Sequence, residues 1–294
     1  MRKAVIITIL LFIILSLSAQ DSLLIRDRRL NEVSGIAGGR RNPSLFYMLN
    51  DSGGKPEVYA LNAKGKVVAT LALRGASNRD WEDIALGQGP SSATPYIYVG
   101  DIGDNNARHP EVYLFRFEEP RLNFTGKSHK EQRLTISPVQ KLTIVYADGP
   151  KDCESLFLDP LNGDIYLISK REASVGLYKV SAPLDTLKAN VAHRVLSLGF
   201  PLAVAADISP GRDKILVKTY NDIYCWQVLP HEAIDTALSR PPVRLPYQPE
   251  FQGEGVCWSA AAESYLTISE QADKQPLYLY TYPYKPPSGL PKSP

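Results

Sequence analysis

The sequence predicts an all-β fold: a five-bladed β-propeller with four-stranded blades, closed by an N-terminal strand joining the last blade, with six blades as the alternative count. A short strand centred on tyrosine recurs as Glu57-Val58-Tyr59, Glu111-Val112-Tyr113, Gly176-Leu177-Tyr178, Asp222-Ile223-Tyr224 and Pro276-Leu277-Tyr278, the tyrosines lying 54, 65, 46 and 54 residues apart. Each is preceded by a period-two apolar run, at residues 45–50, 96–101, 164–169, 214–219 and 265–270, and that run by an apolar segment rich in small residues. A fourth run, at residues 67–73, 141–146, 194–198 and 243–247, completes every unit except the last. Period two is the strand repeat, and units of this size arranged radially leave only short, protected edges.

Taken in chain order, Arg2 and Lys3, the apolar stretch 4–15 and Ser16-Leu17-Ser18-Ala19 have the charge, core and small-residue order of a secretory signal peptide. The apolar run is shorter than the roughly 20 residues that span a bilayer. Cleavage is expected after Ala19, leaving a single propeller domain at residues 20–284 and a proline-rich tail at 285–294. No lipid-anchoring cysteine follows the segment, so a periplasmic or extracellular protein is expected. Leu23-Leu24-Ile25-Arg26 has the pattern and position to supply the strand missing from the last blade. Asn62-Ala63-Lys64-Gly65 and Asp159-Pro160-Leu161-Asn162-Gly163-Asp164 carry antiparallel turn chemistry. The second unit is longer than the others; its surplus at residues 122–133 reads as an extended hairpin or mobile loop. Short helices are expected only near residues 184–192 and 231–239.

With 44% hydrophobic and 22% charged residues the chain can bury a full core and is neither disordered nor fibrous. Losing Arg2 and Lys3 with the leader takes 33 basic residues to 31, against 31 acidic ones. A balanced chain lacks the basic footprint of a nucleic-acid binder and any polybasic tract for anionic lipid. A monomer is expected, with no nucleic-acid partner, no stable membrane insertion after cleavage, and a small molecule or envelope component as ligand. Cys153, Cys225 and Cys257 form no metal or redox pair and read as buried apolar side chains, although oxidation of Cys225 with Cys257 stays open.

The first strand of a propeller blade lines the central channel. Glu32, Glu82, Glu154 and Glu254 stand at the start of four such segments, with Ala206 in the remaining one, and Asp80 and Asp152 precede two of them. Carboxylates about 6 Å apart repel by roughly 2 to 3 kcal/mol at an effective dielectric of about 20. The ring therefore needs bound protons, inward basic groups such as Lys170, Arg171 and Lys218, or a cation. Oxygen-only ligands from several directions suit Ca²⁺, whereas isolated histidines and scattered thiols do not suit zinc. Glutamates that cap inner-strand amides or pair with arginines are the bland alternative. A second polar set follows the second strands: Asp51, Asp101, Asp104, Lys170 and Arg171 are candidate ligand-binding residues, the basic pair suited to an anionic group. No serine-nucleophile elbow or phosphate-binding glycine loop is present.

Glu32-Val33-Ser34-Gly35-Ile36-Ala37 followed by Leu49-Asn50-Asp51-Ser52-Gly53 resembles the opening blade of SdiA-regulated-type propellers. Asp80-Trp81-Glu82-Asp83-Ile84-Ala85 with Tyr98-Val99-Gly100-Asp101-Ile102-Gly103-Asp104-Asn105 is similar to exported bacterial propellers of the phytase-like group, and the similarity runs over about residues 30–282. The resemblance implies calcium held by acidic inner-strand residues, which here points to Glu32, Glu82, Glu154 and Glu254. The chain lacks the dense lysines and arginines with which propeller phytases hold phytate. The expected role is binding or envelope organisation without turnover. The alternative is a calcium-dependent hydrolase of phosphoesters or lactones acting at the channel, with Asp51, Asp101 or Asp104 near the reacting group.

Overall fold

A computed structural model describes residues 21–91, 94–123, 130–271 and 275–286. The expected leader at 1–19 and most of the proline-rich tail lie outside the described residues. The chain opens with β1 (Asp21–Ile25) and then repeats four-stranded antiparallel units. The first is β2 (Val33–Gly38), β3 (Leu45–Asn50), β4 (Glu57–Asn62) and β5 (Val67–Leu73). The second is β6 (Trp81–Gln88), β7 (Pro95–Asp101) and β8 (Val112–Glu118), then, after β9 (Gln132–Ile136), β10 (Gln140–Tyr146). The third is β11 (Cys153–Leu158), β12 (Ile165–Ser169), β13 (Gly176–Val180) and β14 (Asn190–Ser197). The next is β15 (Ala203–Ile208), β16 (Lys214–Thr219) and β17 (Ile223–Gln227), the helix α1 (Ile234–Leu238), and β18 (Val243–Leu245). The last contributes β19 (Gly255–Trp258), β20 (Ser264–Ile268) and β21 (Leu277–Pro283).

First strands pack side by side in a closed cycle: β2 on β6, β6 on β11, β11 on β15, β15 on β19 and β19 on β2. This radial arrangement is a β-propeller. The core is divided accordingly. Each hydrophobic cluster fills a seam between neighbouring units, as where Tyr47, Leu49 and Val58 of one meet Trp81, Ile97 and Phe117 of the next. Close approach at the axis needs a residue without a side chain: a Cβ on Gly35 would stand 2.9 Å from the Asp83 Cα on the adjacent strand. For some of the recurring tyrosines the rationale is local. Side chains at i and i+2 share one strand face, so the Tyr59 hydroxyl donates to Glu57 at 3.0 Å and that of Tyr113 to Glu111 at 2.5 Å.

β1 pairs antiparallel with β21, Asp21 opposite Thr281 and Ile25 opposite Leu277, so the N-terminal strand completes the last sheet in the order β1-β21-β20-β19. Three expectations are corrected. The surplus at 122–133, of which residues 124–129 lie outside the described residues, runs at its end into a strand, β9, which pairs in parallel with β5 and makes the first sheet five-stranded. β10 pairs in parallel with β14, merging the second and third units into one eight-stranded sheet. No helix forms at residues 184–192; turns there lead into β14, while the second expected helix is α1. All three cysteines are free and buried. Among the described residues no helix is long and apolar enough to cross a membrane.

Candidate cation site at the channel mouth

Four first strands slip in register at the same step, between Val33 and Gly35, Trp81 and Asp83, Cys153 and Ser155, and Ala203 and Ala205. The extra residue is a β-bulge, which re-aims one side chain out of the ladder. It is Ser34, Glu82, Glu154 and Val204 in these strands. Since Gly255 pairs with Ile268 as Asp83 pairs with Gly100, Glu254 holds the same place in the last unit. This corrects the equivalence expected for Glu32 and Ala206. Glu32 aligns one tier further out, with Asp80, Asp152 and Gln252, and is exposed. Ala206 lies two residues past the step. Motif spelling hides the bulge, because it depends on pairing with the second strand.

Of the bulge residues, Glu82, Glu154 and Glu254 are buried. Glu154 makes an ion pair with Lys170, whose ammonium also lies 3.7 Å from Glu254. Burial opposes the charge on Lys170, but Glu154 and Glu254 outweigh it and hold the group protonated above its usual range. The Tyr220 hydroxyl donates to Glu254 at 2.6 Å, and its ring lies 5.2 Å from the Lys170 ammonium. Lys170, named both as a mouth residue and as an inward basic group, folds inward, and two of the four expected metal glutamates face a lysine.

Glu82 differs. It is 5% exposed, yet no hydrogen bond or ion pair reaches its carboxylate among the described residues. Carboxylate oxygens of Asp51, Asp80 and Glu82 all lie within 4.8 Å of one another. Each pair at that separation repels by about 3 kcal/mol at an effective dielectric of about 20. Burial, then Glu154, Asp51 and Asp80, pushes Glu82 well above the usual carboxylate range, and burial followed by Asp51 and Asp152 pushes Asp80 up to about 6. Glu270, up to about 7 through burial and then Glu254 and Asp51, belongs to the same mouth. Gly103 keeps the cluster open: a Cβ there would stand 2.2 Å from Glu82 Oε1 and 2.5 Å from Asp80 Oδ2. Three convergent hard oxygen donors fit a Ca²⁺-type cation, which takes six to eight oxygens in flexible geometry and would leave positions for water or ligand.

The other mouth residues fall into two groups. Asp51 faces the cluster. Asp101 instead accepts the amides of Arg79 at 3.2 Å and Asp80 at 2.8 Å, holding the strand that carries the site. Asp104 accepts the His109 amide at 2.7 Å, and its own amide donates to Asp152 at 2.9 Å. Arg171 pairs with Asp152 at 2.5 Å and stays about half exposed. Sequence spacing pointed to Glu82 but not to Asp80, Gly103 or Tyr220 as site residues. The Asp-x-Glu pair at 80 and 82 was the available signal for the first; Tyr220 follows its strand with no motif around it.

No family model matches the chain, and no curated protein matches it. Among matching solved structures, the PQQ-bound form of aldose sugar dehydrogenase from Streptomyces coelicolor covers 90% of this chain and 98% of its own, with 10% identity and a TM-score of 0.47.

Proposed function

We propose that the chain is an exported five-bladed propeller that binds calcium at its channel mouth through Asp51, Asp80 and Glu82 and captures a small ligand there without turning it over. The cyclic packing of β2, β6, β11, β15 and β19 supports the blade count. The N-terminal charge, apolar and small-residue order supports export. The observation that carries the cation site is Glu82, a buried carboxylate without a hydrogen-bond partner, aimed at two others. Bound there, the ion would offset their repulsion and offer open positions to ligand oxygens. Lys170, Glu154, Glu254 and Tyr220 would form the polar floor beside it. The motif likeness to SdiA-regulated and phytase-like propellers supports the same reading.

Calorimetry on chelator-stripped protein tests this. Saturable calcium binding and a raised thermal midpoint are expected in the native chain and not in E82Q. Without calcium E82Q should be at least as stable as the native chain, because one repelling charge is gone. Absence of binding at millimolar calcium would overturn the assignment.

The Tyr220 hydroxyl beside Lys170 and Glu254 favours a second reading, hydrolysis of a phosphoester or lactone, with these residues holding or moving a proton. Phosphomonoesters, phosphodiesters, nucleotides and sugar lactones assayed with and without chelator separate the two. Chelator-sensitive turnover lost in E82Q would favour hydrolysis.

A further inference from the structure

The opposite end of the propeller holds a second cavity, about 490 Å³, between the second and third units. Gln88, Tyr98, Arg116, Asn162, Pro183 and Leu184 are among its walls. Gln88 ends β6 whereas Glu82 lies near its start, a separation of roughly 20 Å along an extended strand. The two sites are therefore distinct.

Arg116 is the notable wall. It is 5% exposed, and its Nε donates to Gln140 Oε1 at 2.8 Å. The guanidinium also hydrogen-bonds the neutral Tyr98 hydroxyl, and it has no ion pair among the described residues. Nearby polar groups are already engaged. The Tyr98 hydroxyl donates to the Gln88 carbonyl at 2.6 Å. Asp164 pairs with Lys179 at 2.7 Å and accepts from Asn162 and the Ala182 amide, both at 2.9 Å. A buried cation without a counter-charge costs several kcal/mol. A guanidinium presents donors in a planar fork that matches a carboxylate or phosphate. Pro90, Pro183 and Leu184 add apolar wall, and the volume falls in the range of small-molecule sites.

We propose that this cleft binds a small organic anion, its oxyanion forked on the terminal nitrogens of Arg116 and its apolar body against Pro183 and Leu184. Thermal midpoints of the mature chain at constant ionic strength test this, with benzoate, phenyl phosphate and inorganic phosphate as probes and chloride as reference. A saturable rise of roughly 3 °C at ten times the dissociation constant is expected with benzoate or phenyl phosphate. Whichever acts more strongly names the headgroup, and inorganic phosphate should act more weakly than the better of the two. The shift should vanish in R116Q, and in A182F, which fills the cleft while leaving Arg116 in place. It should persist in E82Q, which separates this site from the channel mouth. No saturable shift in the native chain, or an equal shift in either cleft variant, would overturn the proposal.

Discussion

Neighbouring carboxylates on β6 have opposite roles. Glu82, on the bulge, faces the mouth without a hydrogen bond. Asp83, fully buried, accepts the amides of Ile84 at 2.8 Å, Leu156 at 2.9 Å and Ala206 at 3.4 Å, so one side chain ties three first strands together. D83A would leave those buried amides unpaired, and a stability loss on the order of 3 kcal/mol is expected in denaturant titration, with a smaller loss in D83N. A loss below about 1 kcal/mol would mean the strands do not depend on this contact. Asp207 accepts the Trp258 amide at 2.7 Å, and burial raises it from 3.8 to about 7 despite its hydrogen bonds and Arg40. A carboxyl held neutral in the folded state stabilises fully below its unfolded value, and that contribution is lost as pH rises toward the folded one. D207N keeps an acceptor oxygen without the charge. Its unfolding free energy relative to the native chain, from denaturant titration, should climb between pH 4 and pH 7 and then level off, by about 1 to 2 kcal/mol because Asp207 keeps partial solvent access. A pH-independent offset would show that Asp207 does not titrate in this way. Of these residues the sequence made Glu82 legible, as part of a recurring acid. It could not separate Glu82 from Glu32, or single out Asp83, since both distinctions rest on the bulge and on amides from other strands.

At the level of elements, antiparallel neighbours were legible and parallel ones were not. β2 to β5 announce themselves by alternation and by turns such as residues 62–65. β9 has no turn linking it to β5, and its modest alternation, Gln132 to Ile136 with Leu134 and Ile136 packing inward, lies within a polar stretch. What holds it is remote: Arg29 reaches Glu131 with both terminal nitrogens at 2.8 Å, and Arg133 reaches Glu57 at 3.2 Å. These are partly exposed contacts of modest worth, so β9 should be the first strand to open. L134P removes a ladder donor from this edge, because the parallel pairing that gives the Ile136 carbonyl to the Arg74 amide directs the amides of residues 134 and 136 at β5. Hydrogen exchange should then show lost protection at residues 132–136 and unchanged protection in β6 to β8. Uniform loss across both sets would mean β9 is part of the cooperative core.

For the whole molecule, ring closure follows from the pairing of β1 with β21, and it was legible because a strand was missing at one end of the chain and spare at the other. Five residues of β1 are in register with β21, and Ile25, 4% exposed, enters the core seam with Leu30, Val33 and Leu277. Termini are ordinarily expendable unless backbone pairing ties them down. A chain that begins at residue 29 would lose Ile25 and the flanking leucines, about 4 kcal/mol of apolar burial, and its midpoint should fall on the order of 10 °C relative to one that begins at residue 20. The bared edge of β21 is a template for strand addition, so the truncated chain should also self-associate. Because the loss is one of pairing, a synthetic peptide of residues 20–30 added in trans should dock on that edge, restore most of the midpoint and suppress association. A scrambled peptide should do neither. If the authentic peptide failed while the truncated chain stayed folded and monomeric, closure through β1 would not be what holds the ring.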